Sequence, residues 1–330
     1  MTLAQEPNPL EPQITAARVH WMSVLSFTIL ACGLAWIVAL PLWLNGGLTN
    51  PFTFWIIAVM MFTPTLATLL VMFVGKTPRG ARARFLGITP LRPLRRTLGM
   101  SLVAIGGTFA IVGVIILLSA AFGLVKLDLV NFSGFAETLK ASRPEGSVPG
   151  NIQALVWTQL LLLPVTAIVN SFLSFGEELG WRGWLVPALA PLGIWPTLII
   201  SGAIWGIWHA PIILLGYNFR RTDVAGLLFM VGGCVAWGIL LGWLRLRTKS
   251  MWPAVFAHGA LNAVGGVLLF LVASGQNVDL AIVGPLGVMS WVVVAIVIGI
   301  LAATGQFRRS LLALPSAPAE SASQRARRAR

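Results

Sequence analysis

Two adjacent carboxylates, Glu177 and Glu178, close one apolar run of the chain, and two histidines, His209 and His258, lie inside later ones. Asn262 follows His258 by about one helical turn. The other eight of the ten acids fall in tails or linkers, and the third histidine, His20, precedes the first apolar run. An ionisable group within a membrane-spanning helix costs roughly 2.5–3.5 kcal/mol at its centre, so it marks a function or a dedicated partner. Glu177, His209, His258 and Asn262 put four polar groups on three segments. A carboxylate and two imidazoles around a small, partly wetted cavity can bind a metal or activate water. Zinc in hydrolases takes such a His/Glu set with one position left open.

Helical geometry divides the carboxylates. Glu178 and Arg182 are four apart and share a face, which suits an ion pair. Glu177 is turned by about 100° and is left free of that arginine. His258 and Asn262 share a face with Ala254 and Gly265, and His209 shares one with Gly202, Trp205 and Gly206. Small neighbours of this kind point both histidines toward a tightly packed interior. Blander readings exist for each residue: a structural salt bridge for Glu178 and Arg182, an interhelical hydrogen bond for each histidine, packing glue for Asn262. Trp205 and Trp208 are expected to line the cavity.

The elements that must position these groups are membrane helices. Of 330 residues 57% are hydrophobic and 10% charged, against about 25% charged in a soluble domain. Apolar runs cover 21–44, 54–75, 97–122, 152–175, 195–215, 224–244, 253–273 and 280–303, most of them near the roughly 20 residues that cross a bilayer. The fold expected is all-α, a polytopic transmembrane bundle of about eight spans occupying 21–305, with the motif-bearing core at 151–273. A tail of 1–20 precedes it. A basic tail of 306–330, poor in apolar residues, is expected to be disordered and able to lie on anionic membrane lipids.

With the N-terminus inside, 18 of the 23 Lys and Arg fall on the cytoplasmic side, seven of them between 76 and 96. The positive-inside rule therefore makes both termini cytoplasmic. The net charge of +13 serves orientation in this setting and implies no nucleic acid. Cys32 and Cys234 both lie in apolar runs, so no disulfide framework is expected, and no cleavable signal peptide is evident. Gly202-x-x-x-Gly206 and Gly238-x-x-x-Gly242 allow close helix contact. No long internal repeat is visible, which counts mildly against the repeat-built transporter folds.

The motifs themselves are recognisable. Gly176-Glu177-Glu178-Leu179-Gly180-Trp181-Arg182-Gly183 resembles the E-E-x-x-x-R signature of the CPBP family, the CAAX proteases and bacteriocin-processing enzymes also called the ABI family. Trp205-Gly206-Ile207-Trp208-His209 stands in the place of the family's F-x-x-x-H, and His258-Gly259-Ala260-Leu261-Asn262 in that of its H-x-x-x-N. The resemblance implies an intramembrane endopeptidase acting on a peptide or lipidated protein near the cytoplasmic leaflet of a membrane, expected here to be a bacterial plasma membrane. It assigns Glu177 as the base that activates water and His209 as the group holding that water or a metal. His258 and Asn262 would complete the pocket and bind the oxyanion, with Glu178 and Arg182 orienting them. Both a metal route, with Zn2+ on Glu177, His209 and His258, and a metal-free glutamate route stay open. Trp205 replaces the usual Phe, a swap of large aromatics expected to alter pocket shape and keep the chemistry.

Two other classes compete with the hydrolase: a proton- or ion-coupled transporter using Glu177, His209 and His258 as a relay, and a catalytically idle immunity or scaffold protein. Counting about 1.5 Å per residue puts His209 much deeper in its run than His258 in its own. The fifth helix must therefore begin below the membrane surface or start later than its hydropathy shows, and the prolines at 191 and 196 favour the first.

Overall fold

The computed structural model describes residues 18–75, 78, 81–89, 91, 93–142 and 150–312. Among them the regular structure is helical, with one isolated antiparallel bridge between Leu127 and Val272. Eight principal helices are labelled in chain order: α1 (Trp21–Leu44), α2 (Thr53–Phe73), α3 (Leu94–Ala121), α4 (Ile152–Glu178), α5 (Ile194–Trp208), α6 (Val224–Thr248), α7 (Trp252–Val264) and α8 (Val288–Ala303). Seven helical segments among the described residues are long and apolar enough to cross a membrane; Ile194–Trp208 is the shorter exception. The protein is an integral membrane protein with an all-α bundle.

Each helix is apolar around its whole circumference, so burial rather than amphipathicity identifies its inner face. In α1 the buried residues are Val24, Phe27, Ala31, Ala35, Ala39 and Leu42, a stripe at three- and four-residue spacing on one side of the helix. Leu25, Ile29 and Ile37 on the other side are exposed, as lipid-facing residues should be. Helix starts are set locally. Asn151 caps α4 by accepting from Ala154 N at 2.8 Å, and Asp223 caps α6 by accepting from Gly226 N at 2.9 Å. These side chains satisfy amide groups that the first turn leaves unpaired. α2 is interrupted at Met61–Phe62 and restarts at Thr63 with Pro64 in the first turn.

The bundle closes around small residues. An added Cβ at Gly202 would lie 2.7 Å from Val235 Cα and one at Gly206 would lie 2.5 Å from Val231 Cα, so α5 and α6 run antiparallel with their backbones nearly touching. Gly238 faces Gly202 and Gly242 faces Leu198 in the same seam, as the small-residue spacing predicts. α7 meets α4 through Gly259, whose Cβ would fall 2.3 Å from Ser171 Oγ and 2.6 Å from Ala167 O.

Three expectations need correction. The fifth apolar run is not one continuous helix: α5 has 15 residues, about 22 Å at 1.5 Å per residue. It stops at Trp208, and a one-turn helix, Ala210–Ile213, follows His209. A later start is excluded, since α5 begins at Ile194 after a tight turn in which Gly193 adopts φ +93°. The second correction concerns the tail. Residues 306–312 do not begin a free segment: Phe307 stacks on Trp195 at 4.6 Å, and Phe307 and Leu312 are buried with Val186, Ile194, Leu198 and Leu246. The remainder, 313–330, and the first tail's residues 1–17 lie outside the described residues, as do Lys76, Arg79 and Arg92. Thirdly, Arg245, one of the bases counted on the cytoplasmic side, is buried inside the bundle. It donates to Arg182 O at 3.1 Å and to Phe85 O at 2.7 Å.

Candidate functional site

α4 carries the carboxylates to the bundle's interior and then widens. Its last residues, Glu177 and Glu178, are followed by a π-helical turn, Leu179–Leu185, in which all seven residues are buried. Such widened turns are frequent at functional sites because they re-aim side chains without ending the helix. The glycines of this segment let other backbones approach. A Cβ at Gly176 would sit 2.8 Å from Met61 O, and one at Gly180 would sit 2.5 Å from Pro64 Cβ. Thr65 Oγ1 donates to Gly176 O at 2.6 Å, pinning the break in α2 against the end of α4.

The ion pair expected between Glu178 and Arg182 is present, with Arg182 Nη1 donating to Glu178 Oε1 at 2.6 Å. The same oxygen also accepts from His258 Nδ1 at 2.9 Å. Glu178 therefore does more than neutralise an arginine: it fixes the His258 ring. Its other oxygen, Oε2, and Arg182 Nε and Nη2 are buried without a protein hydrogen-bond partner. Arg182 is held instead by its face, with Cζ 4.3 Å from the Trp205 ring centre, a favourable position for a cation over an indole.

Glu177 is not free either. Trp205 Nε1 donates to Glu177 Oε2 at 2.7 Å, a charge-assisted hydrogen bond when the carboxylate is ionised. Trp205 thus links the two acids, stacking on the partner of one and donating to the other. It also stands beside both imidazoles, its ring centre 5.2 Å from that of His258 and 5.8 Å from that of His209. His209 ends α5, and its Nδ1 lies 2.8 Å from Trp205 O. A carbonyl oxygen only accepts, so Nδ1 carries the proton and Nε2 is the nitrogen left for chemistry. His258, with Nδ1 on a carboxylate, is arranged the same way. Trp208 braces the other side of His209 at 4.6 Å and donates to Thr63 Oγ1 at 3.0 Å.

Glu177, Trp205, His209, His258 and Asn262 all line one cavity of about 590 Å³. Asn262 stands further along its wall, where Nδ2 donates to Ser174 Oγ at 3.2 Å. The structure thus brings the predicted residues of three segments to one cavity, with Arg182 and Glu178 packed behind it. It does not bring them together as a ligand cage. Trp205 sits beside both histidines, and no group of three His, Cys, Asp or Glu among the described residues is placed to hold a metal ion. The fit to the expected zinc set of Glu177, His209 and His258 is therefore poor, even though each ring's Nδ1 is anchored as in a metal site.

Sequence reasoning missed several cavity residues: Met61, Asn170 and Tyr217, the chain's single tyrosine. A signal for Asn170 was present. Asn170, Ser174 and Glu177 follow at i, i+4 and i+7, a polar stripe on one face of an otherwise apolar helix. Met61 and Tyr217 carry no such signal, because α2's break and the loop after Ile213 place them.

Residues 153–264 match the family model described as type II CAAX prenyl endopeptidase Rce1-like. That segment holds every candidate site residue, from Glu177 to Asn262. No curated protein matches the chain.

Proposed function

We propose that the chain, whose residues 153–264 match the type II CAAX prenyl endopeptidase Rce1-like model, is a CAAX-type intramembrane protease that hydrolyses a peptide bond with Glu177 as the base. Its substrate is a membrane-associated peptide or lipidated protein, and its setting a bacterial plasma membrane that it crosses several times. The observation that carries the reading is the buried Glu177 carboxylate on the wall of a cavity shared with His209, His258 and Asn262.

One Glu177 oxygen is held by the Trp205 indole, leaving the other to take a proton from water. His209 Nε2, its lone pair exposed by the Nδ1 bond to Trp205 O, accepts the water's second hydrogen and fixes its direction. The water oxygen then bonds to the scissile carbonyl carbon, and the carbonyl oxygen takes the negative charge. Asn262 Nδ2 is a donor for that oxyanion, and His258 is another when its ring carries both protons, one of them held on Glu178. Preorganised donors of this kind are worth most in a site shielded from bulk water. Collapse of the intermediate breaks the C–N bond, and Glu177 returns its proton to the leaving amine. No step passes through a metal.

The test is Glu177→Ala in proteoliposomes containing a fluorogenic membrane peptide. Cleavage should be abolished while expression and melting temperature stay at wild-type values. Cleavage retained by the variant would remove the catalytic assignment.

A further inference from the structure

The ends of the helices define two faces. One carries His20, the segment between α2 and α3, the turn before α5, the start of α7 and residues 304–312. The other carries the loops after α1, α3, Ala210–Ile213 and α7. Glu177 lies near the first of these faces by position, at the far end of α4, and His258 is six residues into α7. The cavity, however, runs the other way. Its rim is built by Thr53 and Phe54 at the start of α2, by Tyr217 and Asn218, by Gly266 beyond α7, and by Pro285. Among the described residues, Glu177 is the lining residue nearest that first face, and none of the others comes from the ends of the helices that meet it.

Below the reacting groups that end is sealed. Trp181, Trp184 and Leu185 of the π-helical turn are fully buried, and Met251 with them. Arg245 crosses the floor to Arg182 O and Phe85 O, and Met251 N donates to Gly87 O at 3.0 Å. Gly87, at φ +75°, is required there, since a Cβ would fall 2.7 Å from Arg245 Cζ. The charge distribution assigns the faces: among the described residues Arg18, Arg82, Arg84, Arg95, Arg96, Arg247, Lys249, Arg308 and Arg309 lie toward the sealed side, which the positive-inside rule makes cytoplasmic. The loops on the open side balance their bases with acids, as in the Arg221–Asp279 pair at 2.6 Å, so the rim offers no strong field. Its walls offer Phe54, Ile57, Met61, Phe219, Met230 and Leu286.

We infer that the cavity admits an uncharged, apolar peptide segment from the membrane face opposite the one that carries His20 and residues 304–312, the non-cytoplasmic one. The end at which the cavity opens follows from the geometry, its assignment to the non-cytoplasmic side from the basic residues, and the peptide's role as substrate rests on the reading above.

The test uses single cysteines in the full chain and a small, charged, membrane-impermeant methanethiosulfonate. Gly266→Cys reports the rim, where an added Cβ meets open space. Met61→Cys reports the depth of the cavity, and Thr304→Cys reports the face that carries residues 304–312. The wild-type chain supplies the background from Cys32 and Cys234. In spheroplasts, Gly266→Cys and Met61→Cys should react and Thr304→Cys should not; in inverted vesicles only Thr304→Cys should react. Met61→Cys reacting only in inverted vesicles overturns the inference. So does an inert Met61→Cys beside a reactive Gly266→Cys, or the whole pattern with its sides exchanged. Labelling needs no turnover, so the expected pattern in a chain that cleaves nothing would keep this inference while the catalytic reading fell.

Discussion

Replacing Trp205 by Phe removes one hydrogen bond and keeps an aromatic ring in place. The bond lost is the one from the indole to Glu177 Oε2, 2.7 Å long and buried. Phe still offers a π-face to Arg182, whose Cζ lies 4.3 Å from the present ring centre, so the ion pair behind the site keeps its packing. A hydrogen bond to a charged group contributes about 1.5–3 kcal/mol. At about 1.4 kcal/mol per factor of ten, Trp205→Phe should lower kcat by about 10- to 150-fold through loss of carboxylate positioning. KM should change less than kcat, because Trp205 is one of many residues lining the cavity and an aromatic ring stays in its place. The assay is cleavage of a membrane peptide in proteoliposomes across a substrate series, with a melting curve to verify the fold. An unchanged kcat in a normally folded Trp205→Phe protein would show that the indole does not position the base.

Other expectations follow from the same geometry. Glu178→Gln leaves Arg182 in a buried site without its counter-charge, and breaking a buried pair in this way costs about 3–5 kcal/mol. The detergent-solubilised variant should melt well below wild type, and equal melting curves would refute the pairing. Gly259→Ala pushes a methyl against Ser171 Oγ and Ala167 O, an overpacking worth about 1–3 kcal/mol. Removing the hydroxyl with Ser171→Ala should recover part of the lost melting temperature, and no recovery would mean that the seam is not tight there. Elemental analysis of active wild type should show no stoichiometric metal; bound zinc that disappears in both His209→Ala and His258→Ala would overturn the metal-free route.

The bundle was readable because lipid-spanning helices announce themselves by length and apolarity, and α1 and α6 begin where hydropathy begins them. The motif residues were readable because ionisable groups are rare in such runs. Their partners were harder to see. Trp205 read as one aromatic for another, since nothing in the sequence tells whether an indole N–H meets lipid, a wall or a carboxylate. Glu178 read as the mate of Arg182 alone, because i, i+4 spacing shows contacts within a helix and is silent about His258, eighty residues away. Arg245 entered only as one of the cytoplasmic-side bases for a similar reason: its partners are carbonyls on two other segments. Residues 306–312 looked unable to build a core, yet two side chains, Phe307 and Leu312, suffice when a groove between α5 and α6 already exists. The direction of the cavity depends on the break in α2 and the bend after Trp208, and neither follows from composition.

The floor beneath Glu177 has a consequence for turnover. A chamber closed by Trp181, Trp184 and the Arg245 clamp is a blind alley, so both fragments of a cut chain must back out through the passage by which the intact one came. Departing product and arriving reactant then compete for the same lumen, and hydrolysis need open no leak for ions between the two compartments.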